Sequence, residues 1–365
     1  MATVLIHVCL SNGGHPSLFV GHFGTLASRR RALWDPGVVE LDRYHTRMKR
    51  VLITGGTGFV GSNLARRLLA EGCEVHLIVR PGFHDWRIRS VEKDLHLCAT
   101  AVEDAEGLAK AVTAVGPEAV FHLAAHGAYP HQTDRRRMFD TNVLGTRNIV
   151  TAALDAGAGS IVVAGSSSEY GRLSRPHSES DAPHPESDYA RTKAAAAAWC
   201  EWKARENGAA VTTLRLYSVY GPWEEPARLI PRLIVEGRRG KWPPLADPST
   251  ARDFVYVDDA VEAFLLAAKH KPQNFGAVYN VGTGQQTTLA DAAQAARELF
   301  NHPAEPSWGG MPDRIWDTAC WVADNRLIQT DLGWRPQTEF RDGLRKTLAW
   351  YESSPAVRNV YEAAP

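Results

Sequence analysis

The 365-residue sequence has little cysteine, no net charge and no long apolar run. Its five cysteines, Cys9, Cys73, Cys98, Cys200 and Cys320, are odd in number and widely spaced, with no C-x-x-C pair. That excludes a disulfide framework and a structural zinc site, and points to a reducing, cytoplasmic setting. Lysine plus arginine and aspartate plus glutamate both total 41, a formal charge of zero. Nothing in that balance draws the chain toward nucleic acid or an anionic membrane. The apolar runs fall far short of the ~18 residues a membrane span needs. What remains is a globular composition, 44% hydrophobic and 22% charged. It excludes a disordered or fibrous chain, and the length accommodates two domains.

Residues 1–47 lack helix or strand periodicity and hold four histidines and the basic run Arg29-Arg30-Arg31. Met1 to Leu10 has no positive n-region, so no secretory signal is read there. The segment is expected to be a disordered extension ahead of Met48. His7, Cys9, His15 and His22 match no familiar ligand spacing, and no metal site is expected.

From residue 50 short apolar runs alternate with helical periodicity. Val51–Ile53, Glu74–Val79, Ala119–Leu123, Ser160–Ala164 and Val211–Leu216 read as strands. Phe59–Ala70, Leu108–Val115, Met138–Ala156 and Tyr189–Asn207 read as helices. Strands apolar on both faces, interleaved with helices, predict an α/β fold, a Rossmann-like doubly wound parallel sheet. Residues 48–216, joined by about 256–282, form the expected dinucleotide-binding domain. Pro222, Pro226, Pro231, Pro243, Pro244 and Pro248 break the rhythm. Residues 217–255 and 283–353, with helices at 257–269, 288–300 and 339–352 around them, predict a smaller C-terminal lobe for substrate, followed by a tail over 354–365.

Thr54-Gly55-Gly56-Thr57-Gly58-Phe59-Val60-Gly61 follows the first strand and opens the first helix. Gly55, Gly58 and Gly61 let the backbone turn tightly against a pyrophosphate, and the free N–H groups of Thr57, Phe59 and Val60 stand at the helix start. The strand-before, helix-after context makes this a dinucleotide loop. The second strand ends Ile78-Val79-Arg80-Pro81. An acid there takes a ribose 2′-hydroxyl and an arginine accommodates a 2′-phosphate, so Arg80 favours NADP(H) over NAD(H).

Tyr189 and Lys193 are spaced i, i+4 on one helical face. The phenol is a poor base at its usual pKa of about 10. A neighbouring ammonium favours the phenolate, which is the expected role of Lys193. Ser166 follows the fifth strand, at the sheet edge where ligands bind, and its hydroxyl is placed to hold a substrate oxygen beside Tyr189. Ser166, Tyr189 and Lys193 suit hydride transfer between a sugar-like carbinol and nicotinamide.

With these motifs the chain resembles the extended short-chain dehydrogenase/reductase family, in its NAD(P)-dependent nucleotide-sugar epimerase/dehydratase branch, from about Met48 to Glu352. His122-Leu123-Ala124-Ala125 resembles the family's H-x-A-A element, Asn142 to Thr146 its N-x-x-G-T helix, Arg215 to Pro222 its strand-six segment, Arg252 to Asp259 its R-D-F-V-x-V-x-D segment and Leu332 to Pro336 its L-G-W-x-P. The resemblance implies that Leu123, Ala124, Ala125, Val102 and Asn142 flank the cofactor. It implies that Ser218, Arg252 and Arg314 touch the nucleotide-sugar substrate, with Tyr129 and Arg228 as further lining of the sugar pocket. It also implies a homodimer through a four-helix bundle of helices 134–156 and 189–207. Two departures matter. Ala101-Val102-Glu103-Asp104 lacks the family's adenine-contacting Asp. Ser168 stands where 4,6-dehydratases place the acid that expels water, with Glu169 one position later. The chain is therefore expected to be an epimerase or 4-keto-reductase. The alternatives are a 4,6-dehydratase or a dinucleotide-binding protein without turnover. The nucleobase, the sugar and the ring carbon stay open.

Overall fold

A computed structural model describes residues 48–363 apart from 130, 271–273 and 312–317. The extension 1–47 and Arg314 lie outside the described residues.

Seven strands make one wholly parallel sheet: β1 (Arg50–Thr54), β2 (Glu74–Val79), β3 (His96–Ala99), β4 (Ala119–His122), β5 (Ser160–Ser166), β6 (Val211–Leu216) and β10 (Val278–Val281). Their order is β10-β6-β5-β4-β1-β2-β3. The direction of winding reverses between β1 and β4, and such switch points open a crevice above the strand ends. Consecutive strand residues serve opposite faces. Val51 and Ile53 pack with Leu64, Leu68 and Phe264 beneath α1 (Phe59–Ala70) and α7 (Val257–Lys269). Leu52 packs with Leu108, Ile149 and Cys200 beneath α2 (Ala105–Val115), α4 (Thr146–Asp155) and α5 (Asp188–Asn207). That two-sided burial is why the strands are apolar throughout rather than alternating.

The helix expected over Met138–Ala156 is interrupted. α3 (Arg135–Phe139) passes into a π-helical turn, Asp140–Gly145, before α4 begins. Such π-turns leave the 3.6-residue period locally and concentrate at functional sites. Gly145 is required there, since a Cβ would lie 2.7 Å from the Val102 side chain.

The lobe is built from α6 (Leu229–Arg238), α8 (Leu289–Phe300), α10 (Phe340–Ser353) and the short pairs β7 (Ser218–Tyr220) with β9 (Phe254–Tyr256), parallel, and β8 (Ala251–Arg252) with β11 (Thr287–Thr288), antiparallel. Its core joins Tyr220, Ile230, Leu233, Phe254, Leu344 and Tyr351. α9 (Arg326–Leu332) packs on β10. The stretch expected as a tail instead carries α11 (Pro355–Glu362), capped by Ser354 and anchored by the buried Val357 and Tyr361. β3 is one of the two edge strands; its mostly exposed His96-Leu97-Cys98-Ala99 gives no alternation to read. Among the described residues, no helix is long and apolar enough to cross a membrane. Cys98, Cys200 and Cys320 are free thiols, and the Cys73 thiol donates to the Met48 carbonyl at 3.2 Å.

Candidate active site

The glycine loop turns at the end of β1. Gly55 has a φ of +71°, and a Cβ there would lie 2.5 Å from the Ala124 amide nitrogen. Its carbonyl accepts from Gly58 N at 2.9 Å, and a Cβ on Gly61 would meet that same oxygen at 2.2 Å. The helix start is thereby drawn tightly onto the strand end. Gly58 caps α1 without a side chain, and the first turn holds no acid. The N–H groups of Phe59 and Val60 thus remain for an anion, beside the Leu123-Ala124 backbone. These residues fit a dinucleotide pyrophosphate.

His122 lies beneath this loop, fully buried. Its Nδ1 pairs with Thr54 Oγ1 at 2.7 Å and its Nε2 with Thr146 Oγ1 at 2.9 Å. Burial, with the charge of Lys193, lowers its pKa to about 3, so it is neutral. Asn142, in the π-turn, clamps His126 through both its N–H and its C=O at 2.8 Å and reaches Thr192 of α5 at 2.9 Å. It is fully buried and holds the loop after β4 in place. The buried Val102 packs against Gly145. Arg80 ends β2 exposed, at the same edge.

α5 begins at Ser187, whose side chain accepts from the Ala190 amide. Tyr189 and Lys193 therefore fall in its first two turns, facing the end of β5. The Ser166 hydroxyl beside the Tyr189 phenol favours its charged form, yet burial outweighs this and pushes the phenol up to about 12. Lys193 donates to the Ala164 carbonyl at 2.5 Å and is 3% exposed. Burial lowers the Lys193 pKa, and its Nζ is held by the backbone of β5. Ser166 also shares a hydrogen bond with Ser168 at 2.8 Å.

The sequence profile of the NAD dependent epimerase/dehydratase family matches residues 51–282. The chain belongs to this family. UDP-glucose 4-epimerase of Mycolicibacterium smegmatis is 31% identical over 322 residues, covering 83% of this chain and 99% of that protein. A trifunctional UDP-glucose 4,6-dehydratase/UDP-4-keto-6-deoxy-D-glucose 3,5-epimerase/UDP-4-keto-L-rhamnose-reductase of Arabidopsis thaliana is 28% identical over 327 residues. The match covers 84% of this chain and 47% of that enzyme, so the chain spans about half its length. Among solved structures, MoeE5 in complex with UDP-glucuronic acid and NAD is 32% identical with a TM-score of 0.73, covering 83% of this chain and 99% of that one. As an NAD-dependent epimerase/dehydratase family member, the protein is an enzyme of the oxidoreductase type that uses a nicotinamide dinucleotide.

In this family member Glu169 is turned inward. Its Oε1 accepts from the Ser166 amide at 2.8 Å and its Oε2 from Arg215 at 2.8 Å, with both side chains buried. The Arg215 guanidinium also lies 4.4 Å from the Tyr170 ring centroid. Glu169 thus supports Ser166 from behind. Arg252 donates to the Ala251 carbonyl at 2.7 Å and stands 5.9 Å from the Trp321 ring, whose Nε1 donates to Ser167 at 3.0 Å. Trp321 thereby links Arg252 to the Ser166 turn. Asp253 accepts from Thr283 N, Gly284 N and Ala323 N, which fixes the backbone beside Arg252. Ser218 opens β7, its amide donating to Asp253 O at 2.9 Å. Tyr129 stacks on His131 at 5.8 Å, and Arg228 caps α6 with its Nε 3.7 Å from Glu224.

Sequence reasoning missed two features. One is the Glu169–Arg215 pair, which joins residues 46 positions apart. The other is Glu224, buried beside Arg228; its only signal is a double acid inside the proline-rich stretch. A grouping of Glu74, His76 and His96 also brings ligand atoms within 4.8 Å of one another, although no metal site was expected. It sits at the opposite, N-terminal ends of β2 and β3, and Glu74 is already bonded to His76 at 2.7 Å.

Proposed function

We propose that this protein moves hydride and proton at a ring carbon of a nucleotide-diphosphate sugar, as an epimerase or a 4-keto-reductase. The observation that carries the reading is the Tyr189 phenol, in the first turn of α5, beside Ser166 at the end of β5. The dinucleotide, when bound, supplies the hydride acceptor and donor. Gly55, Thr57, Gly58, Phe59, Val60 and Gly61 would hold its pyrophosphate. Ser166 holds the substrate oxygen, and Tyr189 passes a proton to or from that oxygen. Lys193 and Glu169 hold the two strand-end segments in register.

A 4,6-dehydratase reading is less well supported. Ser168 occupies the expected acid position and is bonded to Ser166, and Glu169 is committed to Arg215. Arg252 favours a diphosphate-bearing substrate, and we extend that role to Arg314. MoeE5 is solved with NAD; Arg80 at the end of β2 favours NADP(H) here. The exposed Phe139 and Trp202, on α3 and α5, support a homodimer through a four-helix bundle. The neutral charge and free cysteines suit a cytoplasmic enzyme without nucleic-acid or membrane partners.

The test is incubation of the purified protein with nucleotide sugars, followed by mass spectrometry. A mass change of two marks reduction, and an isomer of unchanged mass marks epimerisation. Tyr189→Phe is expected to lower turnover by about 100-fold or more while dinucleotide binding stays within about twofold. Full turnover by Tyr189→Phe overturns the reading.

A further inference from the structure

β2 and β3 are the outermost pair at one side of the sheet. Their N-terminal ends lie at the sheet edge opposite the glycine loop, which turns at the C-terminal end of β1. Glu74 and His76 are two residues apart on β2, so they share a face. His96 opens β3 in register with His76, one strand spacing away, and stands on that face too. The two imidazoles stack, with ring centroids 4.7 Å apart and 20° between planes. His76 Nε2 lies 2.7 Å from Glu74 Oε1. One ligand atom from each of the three residues falls within 4.8 Å of the other two.

The side chains differ in freedom. His76 is 12% exposed and Glu74 49%, while His96 is exposed. Ligand atoms around a tetrahedral cation stand about 3.3 Å apart, given metal–ligand bonds of about 2.0–2.1 Å. Rotation of the two exposed side chains toward a fixed His76 closes the gap without moving a strand. Two adjacent imidazoles repel once both are protonated, whereas a cation takes a lone pair from each. Arg50 of β1 is in register with Glu74 and competes electrostatically for its carboxylate, so the imidazoles carry most of the affinity. Two nitrogens and one oxygen suit zinc and its first-row neighbours; magnesium and calcium prefer oxygen shells. Cys98, two residues further along β3, is not part of the grouping. Three protein ligands leave a fourth position for water.

We propose that Glu74, His76 and His96 form a second binding site, which takes one divalent first-row transition-metal cation of the zinc type and staples β3 to β2. β3 has four residues, three of them exposed or nearly so, and pairs on one side alone. A cation held by both strands adds the crosslink that this short edge lacks. The site is separate from the dinucleotide crevice and owes nothing to the nucleotide-sugar reading.

Isothermal titration of the untagged full-length protein with zinc chloride tests this. Residues 1–47 hold histidines of their own, so the site is read as a difference between the wild type and its variants. The wild type is expected to bind one more equivalent of zinc than His76→Ala or His96→Ala. Glu74→Gln is expected to keep that equivalent with an affinity about tenfold weaker. Saturating zinc is expected to raise the melting midpoint of the wild type by about 3 °C and that of His96→Ala by less than about 1 °C. Magnesium chloride is expected to give neither the equivalent nor the shift. If His76→Ala does not fold, His96→Ala, at an exposed strand end, decides. Equal zinc uptake by the wild type and His96→Ala, an equal melting shift in both, or a magnesium response matching that of zinc overturns the proposal.

Discussion

Lys193 donates from Nζ to the main-chain carbonyl of Ala164 at 2.5 Å, two residues before Ser166 on the same strand. The ammonium therefore ties α5 to β5 and sets the distance between Tyr189 and Ser166. Lys193→Met is expected to lower turnover by about 100-fold or more. Steady-state kinetics beside a circular dichroism melt check this. A lowered melting temperature with unchanged turnover assigns Lys193 to scaffolding alone.

Arg80 is exposed at the end of β2. If it holds a 2′-phosphate, the wild type binds NADPH more tightly than NADH, and Arg80→Ala flattens the difference by about tenfold. Fluorescence titration of both reduced dinucleotides reads this directly. Equal affinities in the wild type remove the basis for NADP(H).

The Glu169–Arg215 pair is buried on both sides. Removing one partner strands the other charge, so Glu169→Leu alone is expected to cost about 3–5 kcal/mol in urea unfolding. The double variant Glu169→Leu with Arg215→Met is expected to recover most of that loss, since two apolar groups replace two charges. Additive losses in the double variant show that the pair does not act as a unit.

His122 is held neutral by burial, its pKa lowered from 6.5 to about 3. A group whose folded pKa is depressed stabilises the fold above its unfolded pKa and loses that contribution as pH falls toward the folded value. Stability is thus expected to fall between pH 6.5 and pH 3, by up to about 1.4 kcal/mol per unit from this residue. His122→Asn should be less stable at pH 7 but show a shallower acid slope in urea titrations.

The doubly wound sheet was legible because strands buried on both faces leave uninterrupted apolar runs, as at Val51–Ile53 and Ile161–Val163. The glycine loop was legible because Gly55 and Gly61 answer to backbone contacts that no other residue permits. The shared helix face of Tyr189 and Lys193 was legible from their spacing, but the depth of burial around the phenol and the Ala164 carbonyl that takes Lys193 Nζ were not, because spacing encodes neither. The π-turn around Asn142 escaped for a related reason. Its helical period is altered by one residue, and flanking apolar positions mask the change. α11 was missed because eight residues carry too few turns to show a face.

The last helix has a practical bearing. Tyr361 reaches across to the carbonyl of Glu224, so the far end of the chain braces the turn that presents this acid. A reporter or affinity handle fused behind α11 would lean on that brace. Kinetic constants collected on such fusions would then describe a loosened Trp223–Glu224 turn.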